Sequence, residues 1–376
     1  MNDYPRHLPQ RRIASLAPLF LSACTGAVPG AAAAPQVPDP VILSGLIVVG
    51  PEGPSSEPMD LALADGLITE IVPTGSRDWG ESERIELNAH WATPAFVDSH
   101  VHLTYLSVAS EMADGGVAAA VDLAAPQTSL QADFNVLDMV QSGPMITPIG
   151  GYPTQSWGSN GYGLECADSD AVEAAIRQLA SEGAGVVKLP IGLGVELSDD
   201  QLTRAVAIAD ELGLPTVSHA TSEAGAARAA AAGVDALAHM PTEALSDKTI
   251  QMWSTEAVIP TLRAFGGSST TLENLRRLHE AGTTVLYGTD MGNLRTPGIV
   301  EVELLAMVSA GMSPLEVIGA GTWEPAEWWG LEPLGLLEAG RQASLIITDV
   351  NPIEEISALS QPTQVWIDGV RREGSR

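Results

Sequence analysis

The run Thr93-Pro-Ala-Phe-Val-Asp-Ser-His-Val-His-Leu103 ends in two histidines one residue apart, His100 and His102. On an extended strand, side chains at i and i+2 leave the same face about 7 Å apart. Two imidazoles held that way grip one metal ion without any loop having to order itself. A pair facing solvent at a strand end is the chemically idle alternative. Four other residues close apolar runs in the same manner. They are Lys188 in Val186-Val-Lys188-Leu-Pro, His219 in Thr216-Val-Ser-His219, His239 in Ala236-Leu-Ala-His239 and Asp290 in Tyr287-Gly-Thr-Asp290. Neutral imidazoles and a carboxylate are borderline ligands suited to Zn²⁺, and a catalytic zinc site keeps one position open for water. An ammonium ligates nothing, so Lys188 is useful only when deprotonated. Its neighbours Val186, Val187 and Leu189 disfavour the charged amine.

These residues need a scaffold that brings strand ends together. Short apolar runs recur at 94–99, 118–125, 144–150, 185–190, 215–218, 236–240, 258–262 and 284–288. Helical patterns lie between them and carry end signals. Ser198-Asp-Asp-Gln201 and Ser313-Pro-Leu-Glu316 are capping-box starts, and Gly213 and Gly282 are stops. Eight βα units in roughly 240 residues predict an α/β fold, a (β/α)8 TIM-type barrel over residues 94–333. A doubly wound sheet is the alternative, and no Gly-rich dinucleotide fingerprint supports it. In a barrel the catalytic groups sit at the C-terminal strand ends, and the six residues fall at strands one, four, five, six and eight. Of the other histidines, His7 lies near the N-terminus, His90 before the first barrel strand and His279 inside a helix. Residues 41–93 and 334–376 are β-rich, with Asp65-Gly66 and Asp368-Gly369 as turns. They predict a small discontinuous β-sandwich domain formed from both ends of the chain.

The order His-x-His, Lys, His, His, Asp on those strands resembles the amidohydrolase superfamily with a binuclear metal centre. The flanks resemble its imidazolonepropionase-like and Xaa-Pro dipeptidase-like branch. Thr93–His102, the Gly-Thr-Asp290 ending, and the closing Leu334-Gly-Leu-Leu-Glu-Ala-Gly-Arg-Gln-Ala-Ser-Leu-Ile-Ile with Trp366-Ile-Asp-Gly carry the likeness, which covers about residues 41–376. The resemblance implies two divalent metal ions, zinc by donor type. His100, His102 and Asp290 would hold one and His219 and His239 the other. Lys188, carboxylated by CO2, would bridge them. It also implies a metal-bridging hydroxide as nucleophile, with Asp290 taking its proton and passing it to the leaving amine. Lys188 argues against the superfamily's mononuclear branches, which lack a lysine on strand four. Two departures bear on substrate: His219-Ala-Thr221 stands where relatives often have His-Ala-His, and Ala238-His239-Met240-Pro241 where they often have Glu-His-Gly. Asp98 either orients an imidazole from behind or faces away.

Pocket candidates come from the loops after strands. The long Gly-rich segment 150–162 after strand three offers Tyr152 and Tyr162 and could close over a substrate. Arg263 past strand seven could hold a carboxylate, and Tyr105 follows the histidine pair. The expected reaction is cleavage of an amide or peptide bond in a small molecule, a dipeptide or N-acyl amino acid. Cyclic amide, lactone or organophosphate ester hydrolysis is a second enzymatic reading, and a non-catalytic surface binding lipoprotein is the alternative of another class.

With 47 acidic against 18 basic residues the net charge is −29, which excludes nucleic acid as a partner. The two cysteines, Cys24 and Cys166, form no disulfide framework. Arg6, Arg11 and Arg12, the apolar run 13–21 and Leu21-Ser-Ala-Cys24 read as a signal peptide over 1–23. The ending resembles a lipoprotein signal, with Cys24 the lipidated mature end and 24–40 a flexible linker. The expectation is an extracytoplasmic bacterial lipoprotein touching a membrane only through that anchor. A homo-oligomer remains compatible with the sequence.

Overall fold

The computed structural model describes residues 40–372; the expected signal, Cys24 and almost all of the linker lie outside the described residues. Both ends of the described chain meet in one sheet system. Leu345–Thr348 pairs antiparallel with Trp91–Pro94, setting Leu345 opposite Pro94 and Thr348 opposite Trp91. Trp91–Pro94 in turn runs parallel to Val41–Gly50. Two hairpins pass through Asp65-Gly66 and Asp368-Gly369. All four residues have positive φ (51°, 79°, 51° and 71°), the conformation that a two-residue type I′ turn demands and that Asp-Gly supplies most easily. This β-sandwich domain has its own apolar core, including Leu43, Leu61, Ile68, Leu345 and Trp366.

Only Ala95 separates the sandwich strand Trp91–Pro94 from the first barrel strand, Phe96–Val101. The barrel then runs through Val117–Asp122, Asp138–Gln141, Val187–Pro190, Thr216–His219, Ala236–Ala238, Ala257–Ile259 and Thr284–Val285, each parallel to a neighbour. Two further contacts complete the ring. Gly185 N–H donates to the Gln141 carbonyl (2.9 Å), joining the third position to the fourth. Ser99 N–H donates to the Tyr287 carbonyl and Asp290 N–H to the His100 carbonyl (2.8 Å each), joining the eighth to the first. The fold is the expected TIM-like barrel with a β-sandwich domain.

One strand assignment changes. The expected third strand at 144–150 exists as Met145–Pro148, but it pairs with an unforeseen strand, Gly163–Cys166. The segment beside the second strand is Asp138–Gln141, whose polar ends hide it from a search for apolar runs.

The outer helices begin and end where their caps dictate. Ser198 and Gln201 form both halves of a capping box ahead of Asp199–Leu212, which stops at Gly213 with φ 71°. Ser313 and Glu316 repeat the box ahead of Pro314–Gly321. No helix among the described residues is long and apolar enough to cross a membrane.

Candidate metal centre

The C-terminal strand ends bring the predicted ligands into one buried cluster. One ligand atom each from His100, His102 and Asp290 lie within 4.8 Å of one another. Asp290 Oδ1 is 3.1 Å from His102 Nε2 and 3.7 Å from His100 Nε2. The imidazoles continue as a row: ring centroids are 5.2 Å apart for His102 and His100, 4.6 Å for His100 and His239, and 4.3 Å for His239 and His219. Lys188 is 1 % exposed, and its Nζ has no hydrogen-bond partner among the described residues. A buried ammonium so placed is costly.

Electrostatics follow from this burial. Desolvation pushes Lys188 down to about 7, against the attraction of Asp290. Desolvation, reinforced by Lys188, holds His219 at about 3 and His100 well below the ordinary imidazole value. His239 is also held well below it, by desolvation and then His219 and Lys188. His102 is the exception: burial pulls it down, but the hydrogen bond and charge of Asp290 outweigh that and raise it. Three imidazoles held to their neutral form, an amine pushed toward neutrality and the Asp290 side chain are a donor set suited to divalent cations. The buried His100 Nδ1, also without a protein partner, fits the same conclusion.

Local backbone features aim these side chains. His239 and Asp290 have φ of 70° and 59°, a region non-glycine residues enter at a cost, most often at functional sites. Thr261 Oγ1 lies 2.8 Å from His239 Nδ1, and the Ala124 carbonyl 3.4 Å from His102 Nδ1, which turns the His102 Nε2 toward Asp290. Close approach of the eighth strand and the loop after it to the seventh and first strands needs two glycines. A Cβ on Gly288 would meet Ile259 Cγ2 at 2.5 Å, and one on Gly292 would meet His102 Cβ at 2.8 Å. Asp98 touches no imidazole. Its carboxylate accepts the backbone N–H of His100 (3.1 Å) and of Thr289 (3.0 Å) and the Thr289 hydroxyl (2.6 Å). It therefore ties together the two backbones that present His100 and Asp290, while burial pushes it up to about 7.

A cavity of about 470 Å³ opens over the cluster. Its apolar and aromatic lining is Tyr105, Met145, Tyr152, Trp157, Leu193 and Phe265. Trp157 donates its indole N–H to the Tyr152 hydroxyl (2.7 Å) and packs 5.6 Å from His102, while Phe265 lies 4.4 Å from His239. Asn293 and Arg295 also line it. Of the residues expected to touch substrate, Tyr105 and Tyr152 line the cavity. Tyr162 instead backs Trp157 at 5.2 Å without lining the cavity itself. Arg263 is exposed on the outside of its loop and does not line the cavity. The reason is that its backbone N–H is drawn to Glu303 (2.7 Å), turning the chain inward before the side chain begins. Phe265, Asn293 and Arg295 went unforeseen, although Asn293 and Arg295 sit in the loop directly after Asp290, where a barrel places functional groups.

Known proteins resemble the chain in sequence and in fold. The chain is 26% identical over 322 residues to an uncharacterized protein of Mycobacterium tuberculosis, covering 74% of this chain and 84% of that one. It is 28% identical over 282 residues to ochratoxinase from Aspergillus niger, covering 65% of this chain and 57% of the relative. The fold matches a crystal structure of a Xaa-Pro dipeptidase with bound methionine in its active site. There the TM-score is 0.77 at 20% identity, covering 89% of this chain and 100% of that one. The amidohydrolase family model matches residues 91–372, so the barrel with its buried histidines and aspartate is a hydrolase's, and the chain belongs to the amidohydrolase family.

Proposed function

We propose that this metal-dependent amide hydrolase cleaves N-acyl amino acids or dipeptides whose acyl side is apolar or aromatic. The observation that carries this reading is the mixed lining of the cavity above the ligand cluster. Apolar and aromatic side chains supply most of it, and Arg295 adds a guanidinium. In a chain with 47 acidic and 18 basic residues, Arg295 has no ion-pair partner among the described residues. An unpaired guanidinium beside an apolar slot suits a substrate with one carboxylate and one greasy end. The Xaa-Pro dipeptidase, by its name, acts on a dipeptide, which supports the same class.

The ligand set suits two divalent cations, zinc by donor type: His100, His102 and Asp290 would hold one, His219 and His239 the other, and Lys188, if carboxylated, would serve both. Bound there, such cations acidify a water and polarise the scissile carbonyl. The protein's own groups do the rest. Arg295 holds the carboxylate, with Asn293 beside it, and the aromatic wall excludes water from the acyl group. Asp290 takes one proton from the attacking water as its oxygen bonds to the carbonyl carbon. It returns that proton to the nitrogen as the C–N bond breaks, giving a carboxylic acid and an amine. Cys24, by the Leu-Ser-Ala-Cys ending, is the proposed lipid anchor of an extracytoplasmic enzyme.

The test is metal content measured together with hydrolysis of a panel of N-acyl amino acids, dipeptides, their methyl esters, lactones and cyclic amides. Turnover of free acids with two zinc per chain supports the reading. Equal turnover of acids and methyl esters, or preference for lactones, refutes the carboxylate anchor.

A further inference from the structure

Glu303 is buried at 0% exposure on the helix Glu301–Ser309 and lines no part of the cavity. Its two carboxylate oxygens accept consecutive backbone N–H groups, Leu262 to Oε1 and Arg263 to Oε2, each at 2.7 Å. The segment so gripped leads away from the seventh strand and serves the site twice. Thr261 places its hydroxyl 2.8 Å from His239 Nδ1, and Phe265 packs its ring 4.4 Å from that imidazole and 6.2 Å from His219. Thr261 does so at φ 40°, where a β-branched residue is strained and must be held by its surroundings. A buried carboxylate is an expensive way to fix a loop that apolar packing could fix, unless the loop must be held to a fraction of an ångström.

We propose that Glu303 is a positioning residue for His239, acting through the Leu262 and Arg263 amides and the Thr261 hydroxyl to set the ring's tautomer and direction. Two-amide capture fixes both position and rotation of the turn, which a single hydrogen bond does not. The hydroxyl then holds Nδ1 and leaves Nε2 for a ligand. The inference rests on His239 being a metal ligand, as proposed above.

The experiment is Zn²⁺ titration of the metal-stripped, full-length chain against a competing chelator, alongside kcat and KM. Glu303→Gln keeps the shape but turns one acceptor into a donor facing an N–H. Thr261→Val keeps the branching and removes the hydroxyl, and Thr261→Ser restores it. Glu303→Gln and Thr261→Val are each expected to weaken the looser Zn²⁺ equivalent about 10- to 100-fold, with kcat falling more than KM rises. The double variant should be no worse than the weaker single, and Thr261→Ser should stay within about 3-fold of wild type. A Glu303→Gln chain that does not melt cooperatively is replaced by Glu303→Asp, which keeps the charge but is too short to reach both amides. Wild-type Zn²⁺ affinity in the folded Glu303 variant, or losses that multiply in the double, overturns the inference. Failure of the wild-type chain to bind Zn²⁺ at all overturns the metal reading and this inference with it.

Discussion

Lys188 offers the sharpest test of the metal centre. Its Nζ is buried without a partner, and desolvation holds it at about 7 against an ordinary 10.5. Carbamate formation needs the neutral amine, whose lone pair bonds to the carbon of CO2 as a proton leaves nitrogen. At pH 7.5 an ordinary lysine offers about 0.1% of that form, and one titrating near 7 offers about three-quarters, a gain of several hundred-fold. The assay is return of activity to metal-stripped protein given Zn²⁺ at constant dissolved CO2 between pH 6 and 10. The rate is expected to rise about fivefold from pH 6 to 7, less than twofold from 7 to 8, and to stay flat beyond. The neutral form gains with rising pH because a depressed pKa puts the loss of the proton near 7. His102, raised by Asp290, also loses its proton as pH rises, so Zn²⁺ uptake by Lys188→Met records that contribution alone. Lys188→Met itself should lose one zinc and at least about 100-fold in activity. A rate still climbing tenfold per pH unit at 9, a rate independent of CO2, or an active Lys188→Met would refute the reasoning.

Three further outcomes follow from single contacts. Arg295→Met is expected to raise KM for N-acyl amino acids about tenfold, the scale of one exposed charge-assisted hydrogen bond, and to leave their methyl esters unchanged; steady-state kinetics on matched pairs check it. Asp290→Asn should keep the fold, since Asn tolerates the left-handed backbone, and lose about 10²- to 10⁴-fold in kcat, read from turnover beside a melting curve. Thr289→Val strips the 2.6 Å hydroxyl donor from buried Asp98. It should cost about 1.5–3 kcal/mol in denaturant unfolding while removing no ligand; a loss under about 0.5 kcal/mol would mean that Asp98 does not tie the two strands.

Much of this was legible in the sequence because the barrel imposes local order. Strands one, four, five, six and eight each end an apolar run in a reactive residue, and the helices between them carry capping boxes that form as written, as at Ser198 and Ser313. The two Asp-Gly turns follow from backbone preference alone. What failed to show depends on distant partners. Asp138–Gln141 is a strand because its neighbours' backbones need a partner, not because its side chains are apolar. Arg263 reads as a pocket residue until Glu303, forty positions away, turns its backbone. Asp98 shares the period-two face of His100 and His102, yet the register slips between Asp98 and Val101, and its carboxylate turns to backbone amides instead.

The places where local rules break are themselves informative. Among the described non-glycine residues with positive φ, Asp65 and Asp368 occupy hairpin turns that require it. His239, Thr261 and Asp290 occupy no such turn; they follow the sixth, seventh and eighth strands at the mouth of the barrel. A strand that stayed extended would send the next side chain out of the barrel or down into its packed interior. A left-handed residue swings the chain and lets the ligand face the cavity, at about 1–3 kcal/mol each. Those costs are borne by fixed contacts: His239 N–H to the Ile259 carbonyl (3.0 Å), Asp290 N–H to the His100 carbonyl (2.8 Å), and the Glu303 clamp beneath Thr261. Lys188 Nζ and His100 Nδ1, both buried, are left without a partner. Strained backbone, buried charge and unmet hydrogen-bonding capacity thus converge on one end of one barrel, and a fold selected for stability alone would have removed each of them.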